Sequence, residues 1–292
     1  MPMFEQNPFM RRVSRRQDTI LSDPDITVPM AAQFVRACDA HQLRLFAPLI
    51  FNGLRISEIV FVFGDQLRPG WLEIRRHPEL LYAPKSHVGR ETPILPVVEH
   101  VLRHRPTDGL VFLRRDAEAS ELPHWSRSKA MFVEEFNERC LRERAAKVAD
   151  RLKIRDAMMR TARGLTTKVI EGQFRTIRRR LGWLSSATPH SFRHLFATVL
   201  EDANVPATYR KLLLGHAPDR SVTSIYTHAG RKRLREFYLQ AIEQEMPMVL
   251  NAIESKAREC GLIDDTSATE DERILPGPGS SGGRNSSGGT RS

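Results

Sequence analysis

Residues 188–200, TPHSFRHLFATVL, hold a histidine and an arginine three positions apart at the start of a helical pattern. Thr188 can cap this helix, and Pro189 is a favoured first residue. His190 and Arg193 then share one face of the first turn, where the helix end adds partial positive charge. Imidazole, guanidinium and dipole together suit an anion. The plainer reading is a surface helix start with incidental basic residues. His190 and His194 stand four apart, a metal-ligand spacing, but no third ligand accompanies them, so no metal is expected.

A second stretch follows at 205–230, VPATYRKLLLGHAPDRSVTSIYTHAG. The pattern predicts a short helix from Pro206 to Leu214 that stops at Gly215, with His216 just past the cap. Another short helix would hold Tyr226 and His228. A tyrosine flanked by apolar residues is more often core than nucleophile, and a histidine past a cap can serve the helix dipole alone.

The elements that must position these side chains read as mostly helical. After a polar, basic arm at 1–23, helical spacing begins at Ile26 and continues through Val28, Met30, Ala31, Phe34, Val35 and Cys38. A second helix over Leu43–Ile50 should stop near Asn52–Gly53, and LRISEIVFVF should form a third that breaks at Gly64–Asp65. Residues 67–96 change character. The runs WLEI, LLYA and TPILP, separated by polar segments, predict a small antiparallel sheet of two or three strands. Helix resumes at Val97 and is expected over 128–181, 191–201, 206–214, 221–228 and 231–259. The expected class is therefore mainly α with a small antiparallel β-sheet. The Gly/Ser-rich tail at 263–292 should be disordered.

Over 292 residues the net charge is +10, which suits a polyanionic partner. The charge is concentrated. Between Arg139 and Arg180 fourteen Lys/Arg face four acids (Glu143, Asp150, Asp156 and Glu171), so this segment alone carries +10. Either it is a solvated helical face or it meets nucleic acid; Arg151, Arg155, Arg163, Lys168, Arg175 and Arg178 are the candidate phosphate contacts. The three cysteines, Cys38, Cys140 and Cys260, are far apart and fit neither a disulfide scaffold nor a zinc ribbon. The most apolar stretch is broken by Arg44, Asn52, Arg55 and Glu58, which argues against a bilayer span. The basic start has no apolar region behind it, so no secretory signal is read and a cytoplasmic location is expected, with association to the nucleoid when bound to DNA.

Four motifs occur in order: GLRISEI at 53–59, TPHSFRH at 188–194, LLGH at 213–216 and SIYTH at 224–228. Together they resemble the tyrosine recombinase (phage integrase) family over roughly residues 26–235. The resemblance implies that Arg55 is the first catalytic arginine, Lys85 the lysine of a β-hairpin, and His190 with Arg193 the central box. It further implies His216 as a donor and Tyr226 as the nucleophile, with Tyr209 and Tyr238 the nearest alternatives. It implies a catalytic domain over 24–240 followed by a C-terminal helix at 241–262. Double-stranded DNA is the implied partner, with a homotetramer formed on it and an accessory DNA-binding or recombinase partner also conceivable. Neither metal nor cofactor is required.

These residue types fit that chemistry. Phosphodiester cleavage builds charge on the non-bridging oxygens, which two arginines can hold bidentately without losing protons. A phenolate, from a phenol of pKa about 10, leaves more readily than an alkoxide, so a phosphotyrosine bond can be reversed without ATP. Three departures from the family pattern are expected. A core-binding domain before the catalytic domain is not evident, a helical basic insertion occupies about 114–163, and the His216–Tyr226 loop is one residue longer. Two other readings share parts of this evidence: a non-catalytic relative that occupies a recombination site, and a type IB topoisomerase-like enzyme.

Overall fold

The computed structural model describes residues 26–85, 89–103, 108–117, 121–216 and 228–263. The arm at 1–23, Tyr226, and the tail beyond Ile263 lie outside them. Thr27 caps α1 (Val28–Ala37), its hydroxyl accepting from Met30 N–H. Asp39 and Gln42 form a reciprocal cap at the start of α2 (Ala40–Asn52). Gly53 ends that helix at φ +56°, and a Cβ there would stand 2.5 Å from Cδ1 of Phe196. The turn therefore needs glycine both for its backbone and for close approach to α8 (Pro189–Asp202).

An aromatic cluster sets where α8 sits. Phe34 of α1 lies 4.9 Å from Phe46 of α2, 4.9 Å from Phe192 of α8 and 5.3 Å from Phe174 of α7 (Thr167–Arg180). All four rings are buried. Edge-on and stacked pairs of this kind contribute about 0.5–1.5 kcal/mol each beyond their area burial. Phe192 lies between His190 and Arg193, so this packing fixes the orientation of the helix that carries them.

The sheet is three-stranded and antiparallel in the order β1 (Leu67–Arg68), β2 (Trp71–Ile74), β3 (Arg90–Pro93). Leu72 pairs with Thr92 and Ile74 with Arg90. Directly paired residues share a face, which puts Arg90 on the same buried side as Leu72 and Ile74.

Several boundaries differ from the sequence expectation. The helix in LRISEIVFVF is only α3 (Ile56–Ile59). Beyond it, Val62 C=O accepts from Val111 N–H, and Gly64 N–H donates to Gly109 C=O. β-branched Val62 suits this extended pairing better than helix. LLYA is not a strand: Pro78 starts a 3₁₀ turn over Pro78–Leu80, and Leu81 follows at φ +55°. The third strand is RETP rather than TPILP. Helix α4 (Pro96–Arg103) begins beside the expected start at Val97. The stretch 128–181 is three helices, α5 (Lys129–Arg142), α6 (Val148–Thr161) and α7, with left-handed residues Arg144 and Arg163 in the breaks. Pro247 divides the last pattern into α10 (His228–Glu245) and α11 (Pro247–Glu259). α11 packs on α1, and α9 (Ala207–Leu214) packs on β3. Among the described residues no helix is long and apolar enough to cross a membrane.

Candidate active site

The C-terminal ends of two helices meet at Arg193. The last carbonyls of a helix lack intrahelical partners and carry its partial negative charge. Arg193 Nη1 donates to Gly53 C=O at 2.6 Å, after α2, and Nη2 donates to Leu214 C=O at the end of α9. One guanidinium thus joins the turn before Arg55 to the turn before His216. Burial, with Arg55 and Arg90 nearby, lowers its pKa to about 10, which still leaves it charged at neutral pH.

Beneath it lies an ion cluster of Arg55, Glu58 and Arg90, the last two 32 positions apart in sequence. Glu58 is 1% exposed. Its Oε1 accepts from Arg55 Nη1 at 3.0 Å and from Arg90 Nη1 at 3.0 Å, and its Oε2 accepts from Arg90 Nη2 at 2.9 Å. The Arg55 backbone N–H donates to Oε2 at 2.9 Å. Burial alone would raise this carboxyl's pKa; the Arg90 charge and hydrogen bonds, with those of Arg55, outweigh it and bring it to about 2. Buried charges are tolerated when paired, and here two arginines share one carboxylate while Arg193 stands nearby on two helix-end carbonyls. The surplus positive charge faces the cleft and suits an anion.

The cleft itself, about 330 Å³, is lined by Arg55, Lys85 and His190 together with Ser57, Glu171 and Thr188. Thr188 N–H donates to Ser191 Oγ at 3.2 Å, closing the first turn of α8 beneath His190. Burial first, then the charges of His194 and Arg193, lowers the pKa of His190; burial, then Arg193, Arg55 and Arg90, lowers that of His216. Both rings are therefore neutral at neutral pH and can accept a proton. The His194 ring lies edge-on to His190 with centroids 4.7 Å apart. Among the described residues no group of three His, Cys, Asp or Glu is placed to hold a metal.

Five of the six expected site residues, Arg55, Lys85, His190, Arg193 and His216, are thus brought to one place. The sixth, Tyr226, lies outside the described residues. Of the alternatives, Tyr238 is wholly buried and Tyr209 packs on Phe237 with ring centroids 4.9 Å apart. Glu58 and Arg90 are the residues that the sequence reading missed. An acid three residues after Arg55 in an apolar run, and an arginine at an inward strand position, were the available signals.

Gly215 joins this cluster to LLGH. Its φ is +64°, and a Cβ there would stand 2.7 Å from Cζ of Arg90. Any side chain would displace the guanidinium that holds Glu58.

The expected phosphate contacts divide. Lys168 and Arg175 are exposed on the face of α7 that also carries Glu171 of the cleft. Arg163 is half-exposed and pairs with Asp116 at 3.1 Å. The other three turn inward, against expectation. Arg178 Nη1 donates to Ala187 C=O at 3.2 Å, bracing the turn before α8. Arg151 lies over Phe136, 5.7 Å from its centroid, and Arg155 donates to Leu80 and Leu81. Each of these three guanidinia already has a partner within the protein.

Residues 111–233 match the family model of the phage integrase family. Over those residues, less than half of its length, the chain is similar to a phage integrase family domain. Among curated relatives, it is 38% identical over 77 residues to the tyrosine recombinase XerC of Leptospira interrogans, covering 26% of this chain and 24% of the relative. It is 38% identical over 87 residues to the tyrosine recombinase XerD of Ralstonia nicotianae, covering 29% and 28%. The matched part thus spans about a quarter of the length of these curated relatives. Among solved structures, an integrase from mycobacterium phage Brujita aligns with a TM-score of 0.48 at 16% identity, covering 74% of this chain and 57% of that one. The integrase-family match contains His190, Arg193, His216 and Tyr226, whereas Arg55, Glu58, Lys85 and Arg90 precede it.

Proposed function

We propose that the protein is a site-specific DNA recombinase that cleaves and rejoins double-stranded DNA through a 3′-phosphotyrosine intermediate. The observation that carries this reading is the surplus of buried arginine over carboxylate at a cleft lined by Lys85 and the neutral His190, with neutral His216 following the Leu214 carbonyl that Arg193 holds. Arg55 and Arg193 hold the non-bridging oxygens of the scissile phosphate and stabilise the charge that grows on them. The Tyr226 oxygen attacks phosphorus and gives its proton to His190. The bond to the 5′-oxygen breaks, and Lys85 protonates that oxygen as it leaves. His216 donates to the phosphate once the bound anion has favoured its protonated form. Attack by another 5′-hydroxyl on the phosphotyrosine reverses these steps and frees Tyr226. Lys168 and Arg175 continue the positive surface away from the cleft and hold the flanking backbone. The protein acts in the cytoplasm as a tetramer on DNA, with a 24–240 catalytic domain.

Nicked suicide duplexes with a randomised central segment test the reading. The full chain should be trapped as a covalent adduct that survives denaturation, and Tyr226→Phe should bind the recovered duplex without forming it. A non-catalytic relative would bind and give no adduct. A topoisomerase-like enzyme would relax supercoiled plasmid with no two-site requirement. Adduct formation by Tyr226→Phe would move the nucleophile elsewhere.

A further inference from the structure

Arg155 is counted by charge among the candidate DNA contacts, yet its side chain is only 13% exposed. From α6 its Nη1 reaches across to the carbonyls of Leu80 and Leu81, at 3.2 and 3.1 Å. Its Nε and Nη2 both hold Asp156 Oδ1, at 3.1 and 2.8 Å, which aims the fork. The guanidinium also lies over Phe61, 5.0 Å from the ring centroid. Phe61 in turn stacks on Tyr82 at 4.2 Å and 22°, and Tyr82 Oη donates to Ser57 C=O at 3.2 Å. Burial and the Glu58 charge push the Tyr82 phenol above its usual range, so it stays protonated and remains a donor.

This chain of contacts fixes the segment that leads to Lys85. Leu81 has a left-handed backbone, unfavourable for a residue with a Cβ, and it persists because its surroundings hold it. The two carbonyls at that bend both go to Arg155. After Tyr82 only Ala83 and buried Pro84 intervene before Lys85. Proline fixes its own φ and restricts the residue before it, so the tether is short and stiff. Ser57, at the other end of the contacts, lines the same cleft as Lys85.

We propose that Arg155 is a positioning residue: through the Leu80–Leu81 carbonyls and the Phe61–Tyr82 stack, α6 sets where the Lys85 ammonium stands over the cleft. The inference rests on the reading of Lys85 as the acid for the leaving 5′-oxygen. A shift of about 1 Å in a reacting group costs on the order of 10²-fold in rate.

Two measurements on the full chain test it. In Arg155→Gln, amide exchange should rise across 79–85 and stay unchanged in α8; unchanged exchange at 79–85 overturns the brace. The second compares cleavage of the recovered suicide duplex with an ordinary phosphodiester and with a 5′-bridging sulfur, whose thiolate leaves without an acid. Arg155→Gln should lose about 10- to 100-fold on the ordinary substrate and recover to near wild type on the sulfur one. Equal loss on both substrates, or no loss on either, overturns the inference. A flattened salt dependence of DNA binding would also overturn it, because Arg155 would then be touching phosphate. Tyr82→Phe removes one hydrogen bond with little risk to folding and should show the same recovery in smaller degree. Lys85→Ala is the control. If the sulfur substrate fails to rescue it, the acid assignment falls and the inference with it. If Lys85→Ala is rescued and Arg155→Gln is not, only the inference falls. If the wild type cleaves neither substrate, the recombinase reading fails, while the exchange measurement still reports on the brace.

Discussion

In the cleft, Arg55, Arg90 and Arg193 are held by a buried carboxylate and by the carbonyl ends of two helices. On the α5–α6 hairpin, Arg142, Arg144 and Arg160 are exposed. The residue type is the same, and the hairpin lies within the more basic stretch of sequence. The cleft is nevertheless the better anion site, because its donors are fixed before the anion arrives and stand in a region where a charge is poorly screened. An exposed guanidinium on a long side chain must be ordered on binding and competes with salt. Density of charge along a sequence therefore ranks these two regions the wrong way round.

The sharpest way to break this comparison is to keep the charge and remove the fork. Arg193→Lys should lower single-turnover cleavage by about 10²–10³-fold or more, since an ammonium cannot span two carbonyls and a phosphate oxygen. Near-normal cleavage would mean that charge alone suffices, as it would on the hairpin. Glu58→Gln should come next, destabilising the fold by about 3–5 kcal/mol in chemical denaturation because Arg55 and Arg90 would lose a buried counter-charge. The wild type carries a matching pH signature. Glu58 has a folded pKa of about 2 against an ordinary value of 4.5, so its contribution to stability is present above 4.5 and lost as pH falls from there toward 2. Glu58→Gln should lack that segment of the stability–pH curve.

A smaller effect concerns the histidines. With His190 and His216 pKa values both lowered in the free protein, the acid limb of kcat/KM should lie below the ordinary histidine range. The acid limb of kcat should sit higher, because a bound phosphate favours the protonated rings. On the surface of α7, changing Lys168 and Arg175 together to Gln should flatten log affinity against log salt by about 2 units and leave site preference intact. Least of all, Arg142→Gln and Arg160→Gln should change stability by no more than about 0.5 kcal/mol and leave cleavage as it was. A loss there would erase the distinction between the two regions.

What the sequence made legible was local. Thr188, Pro189, His190 and Arg193 lie within one helical turn, so spacing alone places them together. Gly53 and Gly215 announce helix ends through a backbone conformation that few other residues adopt. The Glu58–Arg90 pair was hidden because its members are 32 positions apart and because LRISEIVFVF reads as continuous helix; tertiary pairing of Val62 with Val111 overrides that pattern. LLYA has strand-like composition, and a single proline diverts it. In α6 the basic residues surround the helix, so no periodicity separates Arg155, turned inward, from Arg160, turned to solvent.

Gly215 has a consequence for any saturation library built across this region. It touches no substrate in the proposed reaction, yet both its φ of +64° and the nearness of Arg90 exclude a side chain. A scan of all substitutions would score it as intolerant as Arg193, while its neighbour His216, exposed and free of steric demand, would accept many residues on stability alone and fail only on turnover. Selection for soluble protein and selection for strand transfer would then give different maps over two adjacent positions. The difference between those maps, rather than intolerance itself, would separate residues that carry chemistry from those that keep space clear for it.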